Sequence, residues 1–154
     1  MKKCLLPVVT LIGCVLIFCG CIKNTPYVTT INPYMTASIG TYTFVASATT
    51  PAVVDTQVMD TAHTLIITGL SSDRAYPHDQ MVISIDHYRG VPGVYSMVQG
   101  QAGAYYLHNG LLAPASGGVI GIQTVSSTVI TGYFSFNTVT GDAIKEGKFS
   151  VGTP

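Results

Sequence analysis

The chain has 154 residues, enough for one domain with a substantial core, and only 9% of them are charged against roughly 25% in an average soluble domain. Lys plus Arg and Asp plus Glu stand at seven each, for a formal net charge of zero. No basic patch is available to hold a phosphate backbone, which argues against a nucleic-acid partner.

The chain opens Met1-Lys2-Lys3 and then runs apolar over residues 4–22. A short basic region before an apolar one is the pattern of a secretory signal. An uncleaved anchor is the alternative, because 19 residues are about enough to span a bilayer. All four cysteines, Cys4, Cys14, Cys19 and Cys21, lie in or at the end of this segment. The remainder therefore has no disulfide and no thiolate cluster for zinc. Phe18-Cys19-Gly20-Cys21 resembles a bacterial lipobox of the loose kind found in Bacteroidota lipoproteins, which implies a diacylglycerol on Cys21. Leu11-Ile12-Gly13-Cys14 fits the strict consensus better, but cleavage there would leave Val15-Leu16-Ile17-Phe18 exposed. The expected organisation is a signal over 1–21, a proline-bearing tether over 22–34 and one β domain over 35–154. Thirteen extended tether residues would reach about 45 Å. Past Cys21 five basic residues face seven acids, so this part carries a charge of −2.

From Met35 onward the hydrophobic period is two. Phe44 and Ala46 alternate with Thr43, Val45 and Ser47. Residues 51–61 hold Val53, Val54 and Val58 and read better as a strand than as a helix. Leu65 and Ile67 share one face, as do Met81, Ile83 and Ile85, Ile120 and Ile122, Ile130, Phe134 and Phe136, and finally Phe149 and Val151. Turn signals fall at Ile39-Gly40-Thr41, Ser71-Ser72-Asp73, Arg89-Gly90, Asn109-Gly110, Ser116-Gly117-Gly118, Thr140-Gly141-Asp142 and Glu146-Gly147. About eight to ten short strands between turns predict an all-β fold, an antiparallel β-sandwich, with a lipocalin-like up-and-down barrel as the alternative.

The hairpin Met35-Thr36-Ala37-Ser38-Ile39-Gly40 with Tyr42-Thr43-Phe44-Val45-Ala46 resembles the opening of uncharacterised Bacteroidota lipoprotein β-domains. Ile130-Thr131-Gly132-Tyr133-Phe134-Ser135-Phe136 and Gly147-Lys148-Phe149-Ser150-Val151 are similar to their ending. Gly93-Val94-Tyr95 resembles their central Gly-Thr-Tyr step, with Val in place of Thr. The likeness covers about residues 35–152. It implies an all-β domain on a lipid anchor and brings no activity or functional residues.

No nucleophile elbow, zinc-binding helix or phosphate loop is present, so neither enzyme nor cofactor is expected. His78-Asp79 and Asp86-His87 could converge as a metal or acid/base site if the flanking strands pair, which keeps a hydrolase as a distant alternative. The histidines have no metal-ligand spacing, so no metal is expected. Asp60-Thr61-Ala62 resembles an O-glycosylation signal of the Bacteroidota, with Thr61 as acceptor. The region 71–110, read as loops, concentrates recognition residues: Arg74 and Arg89, three of four histidines and five of nine tyrosines. Aromatics and Arg dominate interfaces, so Arg74, Tyr76, Tyr88 and Arg89 are the candidate ligand contacts for a protein or glycan partner. The expected protein is a lipid-anchored, non-catalytic binding or envelope-structural module, with a lipocalin-like carrier of an apolar ligand as the alternative. No acidic run follows Cys21, which favours an outer-membrane position facing the periplasm over the cell surface. Metabolic fatty-acid labelling will mark the wild type and not Cys21→Ala; a variant that keeps its label, or a mature N-terminus at Cys14, would refute the Cys21 assignment.

Overall fold

The computed structural model describes residues 32–47, 63–71 and 79–154, and the backbone of 54–59. The expected lipidation site Cys21, Thr61, Arg74 and Tyr76 lie outside the described residues, as does most of the tether. Ten strands are described: β1 (Tyr34–Ile39), β2 (Tyr42–Ser47), β3 (Val54–Met59), β4 (Thr64–Leu70), β5 (Gln80–Ile85), β6 (Gly93–Ser96), β7 (Ala102–His108), β8 (Leu111–Val125), β9 (Val129–Thr138) and β10 (Ala143–Gly152). Every pairing is antiparallel, in the order β2-β1-β10-β9-β8-β7-β5-β4-β3, with β6 also on β8. The sheet curls into a half-barrel, as expected of an all-β chain. Among the described residues no helix is long and apolar enough to cross a membrane.

The period of two explains the curl, because one face of each strand is apolar and must be buried. Phe44, Leu65, Ile67, Met81, Ile83, Ile85, Ile120, Ile130, Phe134 and Phe149 all point inward and are essentially fully buried. Curling lets one sheet supply both walls of its own core. Gly69 on β4 marks the closest approach of those walls. A side chain there would press on Met35 and Ala46 of the opposite edge. The edges thus meet by packing, between strands that are not hydrogen-bonded neighbours.

Rings lying over glycines on neighbouring strands hold β9 and β10 in register. Phe149 is paired with Gly132 and Phe134 with Gly147, and a methyl group on either glycine would overlap the opposing ring. The same arrangement recurs between β8 and β9, where Tyr133 covers Gly121 on the outer face. Phe134 stacks on Phe136 at 6.2 Å and on Phe149 at 6.4 Å, an aromatic ladder through the core.

Three sequence-based expectations need correction. Ser116-Gly117-Gly118 and Glu146-Gly147 are bulges inside long strands, where the register shifts between Ala115 and Gly117 and between Ile144 and Gly147. A bulge uses the same glycine and positive-φ chemistry as a turn, and Glu146 has a φ of 52°. Region 71–110, read as loops, contains the strands β5, β6 and β7. The Met81, Ile83 and Ile85 alternation marks β5, whereas the short, glycine-bearing β6 and β7 carry no such apolar pattern. By contrast Asn109-Gly110 is the expected tight hairpin, with φ of 50° and 79° suited to a type I′ turn.

β8 directs the curl. Residues 111–114 pair with β7, residues 119–122 pair with β6, and the opposite edge pairs with β9 from Ala115 onward. Pro114 starts that second ladder, where its carbonyl accepts from the Val139 N–H at 2.9 Å. Phe134→Ala should cost about 3–5 kcal/mol in urea unfolding and Gly132→Ala about 1–3 kcal/mol, because one leaves a cavity and the other overpacks. Negligible destabilisation at both positions would contradict this packing.

Candidate functional site

The strand directions define two ends. Tyr34 pairs with Ser150 and Ile39 with Ile144, so the β1–β2, β7–β8 and β9–β10 hairpins gather at one end. The start of β1, the turn at residues 126–128 and the 86–92 loop lie at the other.

A cavity of about 290 Å³ opens among the three gathered hairpins. Its apolar lining is Ile39, Leu111 and Ala113; its polar lining is Tyr42, Tyr106, His108, Thr140 and Asp142. The register explains one wall. Tyr106 and His108 are two apart on β7 and share a face, while Gln80↔Leu107 sets Asp79 beside His108. Tyr106 Oη donates to Asp79 Oδ2 at 2.7 Å, and His108 Nδ1–H reaches the same carboxylate at 2.8 and 2.9 Å. The 3.2 Å between Tyr106 Oη and His108 Nδ1 is the spacing of two donors converging on one acceptor. With Nδ1 carrying the proton, Nε2 accepts from Asn109 Nδ2 at 2.8 Å. The Tyr106 and His108 rings stack at 5.7 Å. On the opposite wall Thr140 Oγ1 donates to Asp142 Oδ2 at 2.9 Å, and the Asp142 N–H donates to Thr138 Oγ1 at 2.9 Å.

Tyr106 is 3% exposed, and its hydroxyl is pushed far above the ordinary phenol range. Burial is the main cause, followed by the hydrogen bond to Asp79 and the charge of that carboxylate. Tyr106 is therefore a fixed neutral donor. Tyr88 and Tyr95 are also raised, mainly by burial. Chemically, the wall is an oriented imidazole backed by a carboxylate. Among the described residues the hydrogen-bonding partners of His108 are Asp79, Tyr106 and Asn109. Among the described residues no group of three or more metal-ligating side chains occurs.

Of the sequence-based ligand contacts, the two that are described, Tyr88 and Arg89, lie away from this cavity. Tyr88 is 8% exposed and packs edge-on against Tyr95 in the core. Arg89 is exposed, in a polar cleft of about 450 Å³ with Asp86, His87, Tyr95, Gln99 and Gln101, at the far end from the cavity. Asp79 and Asp86 flank β5 and stand about 23 Å apart, so they cannot share a site. The partner of Asp79 is His108, 29 residues away. Tyr-x-His on one strand face, with Asp79 opening the strand paired to it, was the signal available in the sequence. Using it required the β5–β7 register.

No family model, curated protein or solved structure matches this chain.

The phenol shifts have a consequence at high pH. A group whose folded value lies above its unfolded value contributes stability below the unfolded value, here 10.0, and loses it as pH rises. The phenol contribution to the unfolding free energy should therefore be constant through neutral pH and fall above about pH 10. Tyr106→Phe should cost about 1–3 kcal/mol at neutral pH, by stranding Asp79, and should weaken the alkaline fall. Urea titrations across pH test this; an unchanged alkaline limb in Tyr106→Phe would refute it.

Proposed function

We propose that this protein is a lipid-anchored, non-catalytic binding module of a bacterial cell envelope. In this reading Cys21 carries the lipid, residues 22–34 form the tether, and the hairpin-end cavity receives a small ligand. The supporting observation is the position of that cavity. The chain enters β1 at Tyr34, at the end opposite Tyr42, His108 and Asp142, so an anchor at Cys21 would hold the cavity away from the lipid. Further support comes from the lining, which combines apolar walls with a few oriented polar groups, the usual make-up of a ligand pocket. The interior between the two walls is filled by Phe, Ile and Met side chains, which favours an end-on site over a carrier's central chamber. We place the protein at the outer membrane facing the periplasm.

Thermal shift of the full chain in detergent against a panel of small polar and amphipathic compounds tests the proposal. At least one compound should raise the melting temperature by several degrees at saturation. His108→Ala should abolish that shift, and Arg89→Ala, at the other end, should leave it intact. If every shift is lost with Arg89→Ala and kept with His108→Ala, the site is the polar cleft and the cavity assignment is wrong.

A further inference from the structure

We infer that the hairpin-end cavity selects a small ammonium compound with an apolar or aromatic body. This rests on the reading of the cavity as a ligand site and adds the chemical class of the ligand.

The first argument is the account of polar groups. Tyr106 and His108 Nδ1 both spend their donor on Asp79, and Thr140 spends its donor on Asp142. The hydrogen bonds of Asp142 run through Oδ2, which leaves Oδ1 with no partner among the described residues. Beside the Tyr42 hydroxyl, which lies 3.4 Å from Ser71 Oγ with either atom able to donate, the described wall still offers the Oδ1 acceptor. A ligand that completes the Asp142 carboxylate must bring a donor.

The second argument is charge. Asp142 and, behind Tyr106, Asp79 give the wall two carboxylates, and among the described residues no Lys or Arg lines it. His108 is already directed at Asp79, so it leaves Asp142 uncompensated. Lys145 lies with Asp142 around a neighbouring depression and forms no ion pair with it among the described residues. An anion would meet the unpaired Asp142, whereas a cation would make a charge-assisted hydrogen bond. Tyr42 adds an aromatic ring to which cations are attracted. Ile39, Leu111 and Ala113 provide the apolar contact for the ligand body, and about 290 Å³ limits that body to a small one.

The test uses three compounds of nearly one shape: phenethylamine, phenethyl alcohol and phenylacetate. Each is titrated into the full chain in detergent while the His108 imidazole resonances are followed by NMR. Phenethylamine should shift them saturably, the alcohol should bind about tenfold or more weakly, and phenylacetate should not bind. Asp142→Asn keeps a turn-forming side chain and should lose most of the preference for the amine, while Lys145→Ala should retain it. Equal binding of amine and alcohol, tighter binding of phenylacetate, or an Asp142→Asn variant with undiminished selectivity would overturn the ammonium assignment and leave the cavity as a ligand site. If none of the three compounds shifts His108 in the folded wild type, the cavity reading fails, and this inference with it.

Discussion

The structure depends on close contact between aromatic rings and glycines in β8, β9 and β10. Phe149 over Gly132 and Phe134 over Gly147 bring these strands into a register that a side chain at either glycine would forbid. A one-residue slip would turn every inward side chain outward, so any device that pins register also pins the core. The Phe134, Phe136 and Phe149 ladder then fills the concave side of the curl. In a chain with few charges, that packing carries much of the specificity that ion pairs would supply elsewhere. The hydrogen-bonded contact of His108 with Asp79 sits at the rim.

The bulges give the sheet its shape. The extra residues near Gly117 and Glu146 raise local twist, and β8 changes partner from β7 to β6 within a single strand. A flat ten-stranded sheet would leave its apolar face in water. The curled one buries it, and Gly69 allows β4 to settle onto Met35 and Ala46. The sandwich and barrel expectations both capture part of this arrangement: two walls facing each other, made from one continuous sheet.

The same curl creates the cavity. Three hairpins converge at one end of the sheet, and the cavity opens among them. The polar residues around it form two separate networks, one around Asp79 and one around Oδ2 of Asp142. The Asp79 network is buried on its Tyr106 side and exposed on its His108 side. A fixed donor within and an oriented ring without make a rigid wall. Such preorganisation lowers the ordering cost of binding.

The sequence alone determined the strand faces. Phe44, Leu65, Met81, Ile120, Ile130, Phe134 and Phe149 were legible as inward residues because the period of two is local, and burial of an apolar face follows from it directly. The Asn109-Gly110 hairpin was legible for the same reason: its backbone preference belongs to two adjacent residues. Only the tertiary structure decided which glycines bend a strand and which end it, because a bulge and a turn draw on the same residue types. It also decided the site. Tyr88 and Arg89 are neighbours in sequence, yet one enters the core and the other faces solvent. Asp79, Tyr106 and His108 meet through the β5–β7 register, and Asp142 joins them across the cavity through the curl. Those relations link residues tens of positions apart, and no local preference encodes them.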